Sequence, residues 1–119
     1  MQADFTQANA AAARFAAVGV RIGTIQSTPG SLDAAARMHL NEVLRNAEEA
    51  LLNDAGLPHR PWYKHTIYAP GEYTGYAAVV IPGVNEGIDA KDVARTSAQL
   101  SVLTEALNRS SSILEQAAK

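Results

Sequence analysis

Between residues 56 and 90 the chain loses all helical period, and this interval dictates what the rest can be. RPWYKHTIYAP, Arg60–Pro70, gathers the only tryptophan, two tyrosines, a histidine and two prolines. The whole interval carries four of the five prolines and all four tyrosines. Connections this long are uncommon in compact domains, and those that occur are functional or disordered. Disordered segments are poor in aromatic and branched apolar residues, whereas this one contains TIYAP and AAVVIPGV. It is therefore expected to be ordered and pinned, either serving a partner or belonging to something larger.

Three helical patterns flank it. The first opens at Asp4, an N-cap with Gln7 in capping-box position. Phe5, Ala8, Ala12, Phe15, Gly19 and Ile22 recur at spacings of three and four, which places them on one face. Gly19 and Gly23 lie one turn apart and would let a second helix approach closely. Alternation at Val20 and Ile22 leaves a short strand open as an alternative. STPGS, Ser27–Ser31, is a turn. The second helix is expected from after Ser31 to about Asn53, with Ala36, Leu40, Val43, Ala47 and Leu51 as its apolar stripe. Arg37, Glu42, Arg45, Glu48 and Glu49 lie mostly opposite, and DAG at Asp54–Gly56 followed by Pro58 is a stop. The third pattern runs from near Asp89 almost to the end. Val93, Leu100, Leu103, Leu107 and Leu114 form its seam, widened by Val102, Ala106, Ile113 and Ala117. The expected fold is all-α: an up-down-up helical bundle in one domain, 1–119, with a long ordered loop between the second and third helices.

A formal net charge of −2 without a basic cluster argues against nucleic acid as a partner. The absence of cysteine excludes disulfides, thiolate metal sites and thiol catalysis. No leader pattern is visible, and no segment approaches the roughly 20 apolar residues of a membrane span. Localisation stays open; for an exported parent, periplasmic or extracellular, the signal would lie upstream. His39, His59 and His65 form no HExxH and have no acidic or histidine partner at ligand spacing, so no metal or cofactor is expected here. His39 reads as a helix-surface residue and His59 as solvated. His65, among aromatics, is either a structural hydrogen-bonding group or part of a site. Ser97, Ser101 and Ser110–Ser112 lie in a helical pattern without GxSxG. Glu48 and Glu49 diverge by about 100° around a helix and cannot cooperate as acid and base. GVNEG, Gly83–Gly87, resembles no phosphate loop. No self-sufficient active site is present.

The interval itself resembles a known family. GLPHRPWYKHTIYAP followed by YTGYAAVVIPGV is similar to the C-terminal helical domain of the transferrin receptor and glutamate carboxypeptidase group. The matching order is Gly56-Leu57-Pro58, Arg60-Pro61-Trp62-Tyr63, Lys64, His65–Pro70, Tyr76 and Pro82-Gly83. The resemblance implies a domain that packs on the protease-like domain of its own chain and supplies much of a homodimer interface. It implies zinc, with its ligands and a general-base glutamate, in that preceding domain. It further implies that Tyr76 lies in the pocket for the substrate's C-terminal residue, where its hydroxyl would donate to a carboxylate. Gly75 stands where the family carries a lysine, so the charge-assisted contact is missing.

The chain is thus expected to be an excised dimerisation and support domain of a zinc carboxypeptidase- or aminopeptidase-like parent, and not itself an enzyme. Arg60, Trp62, Tyr63, His65 and Tyr68 are its expected docking residues. Val102, Ala106 and Ile113, on the outer side of the third helix, are its expected dimer contacts. Two alternatives stand beside this: a free-standing helical peptide-binding module, and the dimerisation domain of a non-catalytic receptor-like relative.

Overall fold

The computed structural model describes residues 2–28, 30–72 and 77–118. The elements run α1 (Thr6–Ser27), α2 (Ala34–Glu49), β1 (Tyr68–Pro70), β2 (Ala78–Val80), α3 (Pro82–Asp89) and α4 (Val93–Ala117). The long C-terminal helix α4 is the common wall on which α1, α2 and α3 all pack. The fold is mainly helical as expected, but it adds a small sheet and a fourth helix inside the interval read as a loop.

Short polar side chains cap α2 and α4. The cap expected of Asp4 is corrected: the cap residue of α1 is Phe5, without a side-chain cap bond, and Asp4 Oδ1 accepts the Thr6 N–H at 2.9 Å from just ahead of it. Asp33 caps α2 through the Ala36 N–H at 2.8 Å, and Asp92 caps α4 through the Arg95 N–H at 2.9 Å. The end of α2 is capped from outside: the Arg109 guanidinium of α4 donates to the carbonyls of Ala50 and Leu52, both at 3.0 Å. A cation there satisfies orphan carbonyls and complements the helix dipole.

The buried face of α1 is Ala8, Ala11, Val18 and Ile22, with Phe15 half-buried. The expected stripe is corrected on this point, since Ala12 and Gly19 face outward. The helix continues through Val20 and Ile22, which removes the strand alternative. The stripe expected for α2 and its exit is buried at Leu40, Val43, Ala47 and Leu51, as is that of α4 at Leu100, Leu103, Leu107 and Leu114.

Two apolar clusters lie along α4. One joins Ala8, Ala11, Leu51, Val84, Leu100, Leu103 and Leu107, with Ile67 and Ile81 of the long interval packed against it. The other joins Val18, Ile22, Leu40, Val43, Ala47 and Leu114. Phe15 touches both. This tandem arrangement stretches the molecule to 50 × 29 × 21 Å with a radius of gyration of 16.3 Å. A compact chain of this length would have a radius near 13.5 Å, by the usual size scaling, so the domain is elongated.

Helix α3 escaped the sequence reading because eight residues starting with Pro-Gly show too few turns for a period. Proline suits its first turn, where the missing N–H would be unpaired anyway. Its cap residue Ile81 sits in the left-handed region at φ 47°, an outlier for a β-branched side chain. Ile81 is held there by its N–H on Ile67 O at 2.6 Å and by its carbonyl, which accepts the Asn85 N–H at 3.1 Å. The close helix approach expected at Gly19 and Gly23 occurs instead at Gly83 and Gly87. A Cβ on Gly87 would lie 2.7 Å from Thr96 Oγ1 and 3.1 Å from its backbone, whereas one on Gly19 or Gly23 meets nothing within 4 Å.

This contrast is testable by denaturant unfolding. Gly87→Ala forces α3 off α4 and should destabilise the domain by about 1–3 kcal/mol, the usual range for overpacking. Gly19→Ala should stabilise it by up to about 1 kcal/mol through helix propensity alone.

Candidate functional site

The long interval leaves α2 through a sequence of tight turns. Gly56 has φ 73°, and a Cβ there would strike the Pro61 carbonyl oxygen at 2.2 Å, so only glycine fits. The chain then folds back on the end of α2. The Asn53 N–H donates to Lys64 O at 2.7 Å, and Thr66 donates to Leu51 O through its hydroxyl at 2.6 Å. β1 and β2 close the interval as an antiparallel hairpin, with Tyr68 opposite Val80, Ala69 opposite Val79 and Pro70 opposite Ala78.

Buried charge locks this path. Arg60 Nη2 is paired with Glu86 Oε1 of α3, and Nη1 donates to Pro70 O at 2.6 Å. The second carboxylate oxygen of Glu86 accepts the Glu72 N–H at 2.6 Å. Glu72 in turn accepts from Arg95 of α4 at 3.0 Å and pairs with His59 at 2.9 Å. Its carboxyl is held below its ordinary value by the His59 hydrogen bond first and by Arg95 second. The Arg60 guanidinium also lies over the Tyr63 ring, 5.7 Å from its centre.

The expected docking residues therefore divide. Arg60 is 8% exposed and points into its own chain, so it braces the loop and offers no contact outward. Trp62 and Tyr68 are 66% and 54% exposed, and Val80, the cross-strand partner of Tyr68, is 63% exposed. Tyr63 and His65 are half-buried. His65 pairs with Glu48 at 2.9 Å and stacks on Tyr68 at 4.1 Å between ring centres. His59, read as solvated, is exposed but engaged with Glu72. His39 is exposed on α2.

Gly75 and Tyr76, the expected pocket residues, lie outside the described residues. Among the expected dimer contacts, Ala106 is 0% exposed and presents no surface to a second copy. Val102 is half-buried beside the loop crevice formed with Leu57, Lys64 and His65, and Ile113 packs against the second cluster. Ser110, in the serine run, is buried and donates to Ala47 O at 2.8 Å. Among the described residues, no group of three or more His, Asp or Glu side chains could hold a metal ion.

Sequence reading missed Glu72, Glu86 and Arg95 altogether. A signal existed for one of them: Glu86 is the only charged side chain between Glu72 and Asp89, in an otherwise uncharged run. A lone charge in such a run must find a partner if it is buried.

The arrangement is thus a braced loop that turns aromatic surface outward. The family model for the transferrin receptor-like dimerisation domain matches residues 2–115. The chain belongs to that family. The domain is 45% identical over 58 residues to a probable glutamate carboxypeptidase of Arthroderma benhamiae, a match covering 49% of this chain and 8% of that protein. It is 50% identical over 50 residues to a probable glutamate carboxypeptidase of Arabidopsis thaliana, covering 42% of this chain and 7% of that protein. The matched part is thus under a tenth of either relative's length. Among the described residues, no helix of the domain is long and apolar enough to cross a membrane.

Two measurements probe the brace. Arg60→Met strands the Glu86 carboxylate in the interior and should cost about 3–5 kcal/mol in denaturant unfolding, as for other broken buried pairs. Adding Glu86→Leu should recover part of that loss. Because the folded Glu72 carboxyl sits below its ordinary value of 4.5, its contribution is complete above that pH. The contribution fades as acid protonates it through the folded value. The stability gap between wild type and Glu72→Gln should therefore shrink between about pH 5 and about pH 3.

Proposed function

We propose that this domain is the homodimerisation and structural-support part of a glutamate carboxypeptidase-like zinc metallopeptidase. In this reading its braced loop docks on the protease-like domain of the same parent chain. The observation that carries it is the exposure of Trp62 and of the cross-strand pair Tyr68 and Val80, presented by a loop whose backbone is locked by buried charge. Rigid aromatic groups on a fixed scaffold lose little entropy on docking and supply large contact area. The match over residues 2–115 and the names of the two relatives support the same reading.

Zinc, in this reading, is bound by the preceding domain of the parent. In the same reading the domain serves chemistry only by position. Tyr76 contributes a hydroxyl to the pocket for the substrate's C-terminal residue. With Gly75 in place of a lysine, the preference for C-terminal glutamate is relaxed. Dimerisation uses the α4 side of the molecule, with the exposed parts of Val102 and Ile113 at the contact and Ala106 behind them.

Sedimentation of the chain at micromolar concentration tests the assembly. A two-fold dimer is the expected outcome, and a monomer at tens of micromolar would remove it. In the intact parent, Tyr76→Phe should raise KM for the preferred substrate more than it lowers kcat. The loss should be roughly 1.5–3 kcal/mol, that of a hydrogen bond to a charged group. An unchanged KM across several C-terminal residues would leave Tyr76 as packing alone.

A further inference from the structure

The His65 ring is held by two bonds of opposite kind. Its Nδ1 accepts the main-chain N–H of Ile67 at 3.1 Å, and its Nε2 lies 2.9 Å from Glu48 Oε1. A ring nitrogen that accepts an N–H carries no proton. The ring is therefore neutral, with its proton on Nε2 and donated to Glu48. The Ile67 contact reproduces an Asx turn, in which a side-chain acceptor on one residue takes the N–H two residues on.

That N–H stands at the entrance to the hairpin. The carbonyl of Ile67 accepts the Ile81 N–H at 2.6 Å, and the next residue, Tyr68, opens β1 while stacking on the same imidazole at 23° between planes. A second proton on His65 can go only to Nδ1, where an N–H already points. Imidazolium is a donor at both nitrogens. On protonation the Ile67 N–H must lose its acceptor or the ring must turn, taking the Tyr68 stack with it.

The surroundings decide what opposes this. From α2, the Glu48 carboxylate faces the ring. Lys64, next in the chain, turns its ammonium to the carbonyls of Asp54 and Pro61. The crevice beside the ring is walled from α3 and α4 by Gly83, Val84, Gln99, Val102 and Leu103, none of them ionisable. Protonation thus strengthens the tie to α2 while breaking the tie to the hairpin.

We infer that His65 is a pH-sensitive latch on the exposed Tyr68–Val80 face. Neutral, it closes the hairpin entrance; protonated, it exchanges the Ile67 bond for a Glu48 ion pair and frees Tyr68. Its effect on docking rests on the function proposed above, whereas the latch is a property of this chain alone.

Nitrogen and amide-proton NMR of the chain between about pH 8 and about pH 5, the range in which histidine charges, tests it. The Nε2–H tautomer is expected at the high end, with the Ile67 amide shift following the His65 titration at the same midpoint. Exchange of the Ile67 amide, corrected for its intrinsic pH dependence, should quicken roughly tenfold on protonation, the loss of about one net hydrogen bond. His65→Asn keeps an acceptor two residues before Ile67 but gains no proton, so it should leave that amide indifferent to pH. An Nδ1–H tautomer at pH 8, an Ile67 amide blind to the His65 titration, or a pH response retained in His65→Asn would each overturn the latch. The wild-type titration decides the matter even if the variant does not fold. An intact latch in a chain that fails to bind the protease-like domain at any pH would remove the docking reading and leave this one standing.

Discussion

The buried ion pair between Arg60 and Glu86 is the constraint on which the ordered loop depends. Two charges removed from water cost several kcal/mol each, and their attraction repays this only when the remaining polar atoms are also bonded. Here most of them are. The second Glu86 oxygen takes the Glu72 N–H, and the second Arg60 amino group donates to Pro70 O. One pair therefore joins the first turn of the loop, the end of β1 and helix α3. Removing either charge would strand the other in the interior, so the three segments hold or fail together.

The brace works because α4 gives it a wall. α3 sits close to α4 through Gly87, and Arg95 of α4 reaches across to Glu72. At the other end of α4, Arg14 of α1 donates to Glu115 at 2.5 Å and to Asn108 Oδ1 at 3.1 Å. Arg109 holds the exit of α2 in the same way. One helix thus registers the other three, and the two apolar clusters follow its length. Burial of Leu51 beside Ile67, Ile81 and Val84 then makes the loop a continuation of the core. In the docking proposed above, outward aromatic groups on a braced backbone would have a lower ordering cost.

Much of the helical framework was legible in the residues. Leu40, Val43, Ala47 and Leu51, like Leu100, Leu103, Leu107 and Leu114, repeat at helical spacing, and repetition over several turns is a strong local signal. The α1 stripe was misplaced because an alanine-rich helix presents similar residues on several faces; Ala11 and Ala12 differ only in where α4 lies. The aromatic content of the interval marked it as pinned, although its means of support was not legible. Arg60 read as a docking group because a surface arginine and a buried one have the same letter and the same neighbours in sequence. Glu86 lies 26 residues further on, and no local pattern pairs them.

The sequence by itself determined the three long helices, the need for a pinned aromatic interval between them, and the family to which the chain belongs. These follow from periodicity, composition and a specific run of residues, all properties of neighbours along the chain. Tertiary structure alone decided that the interval contains a hairpin and a short helix, and that Gly83 and Gly87 rather than Gly19 and Gly23 serve close packing. It also decided that Arg60 faces inward while Trp62 and Tyr68 face out. Each of these depends on which distant residue arrives opposite: Thr96 against Gly87, Glu86 against Arg60, Val80 against Tyr68. Three-residue strands and an eight-residue helix are too short to be specified locally. Long-range contacts supply the stability that local preference lacks.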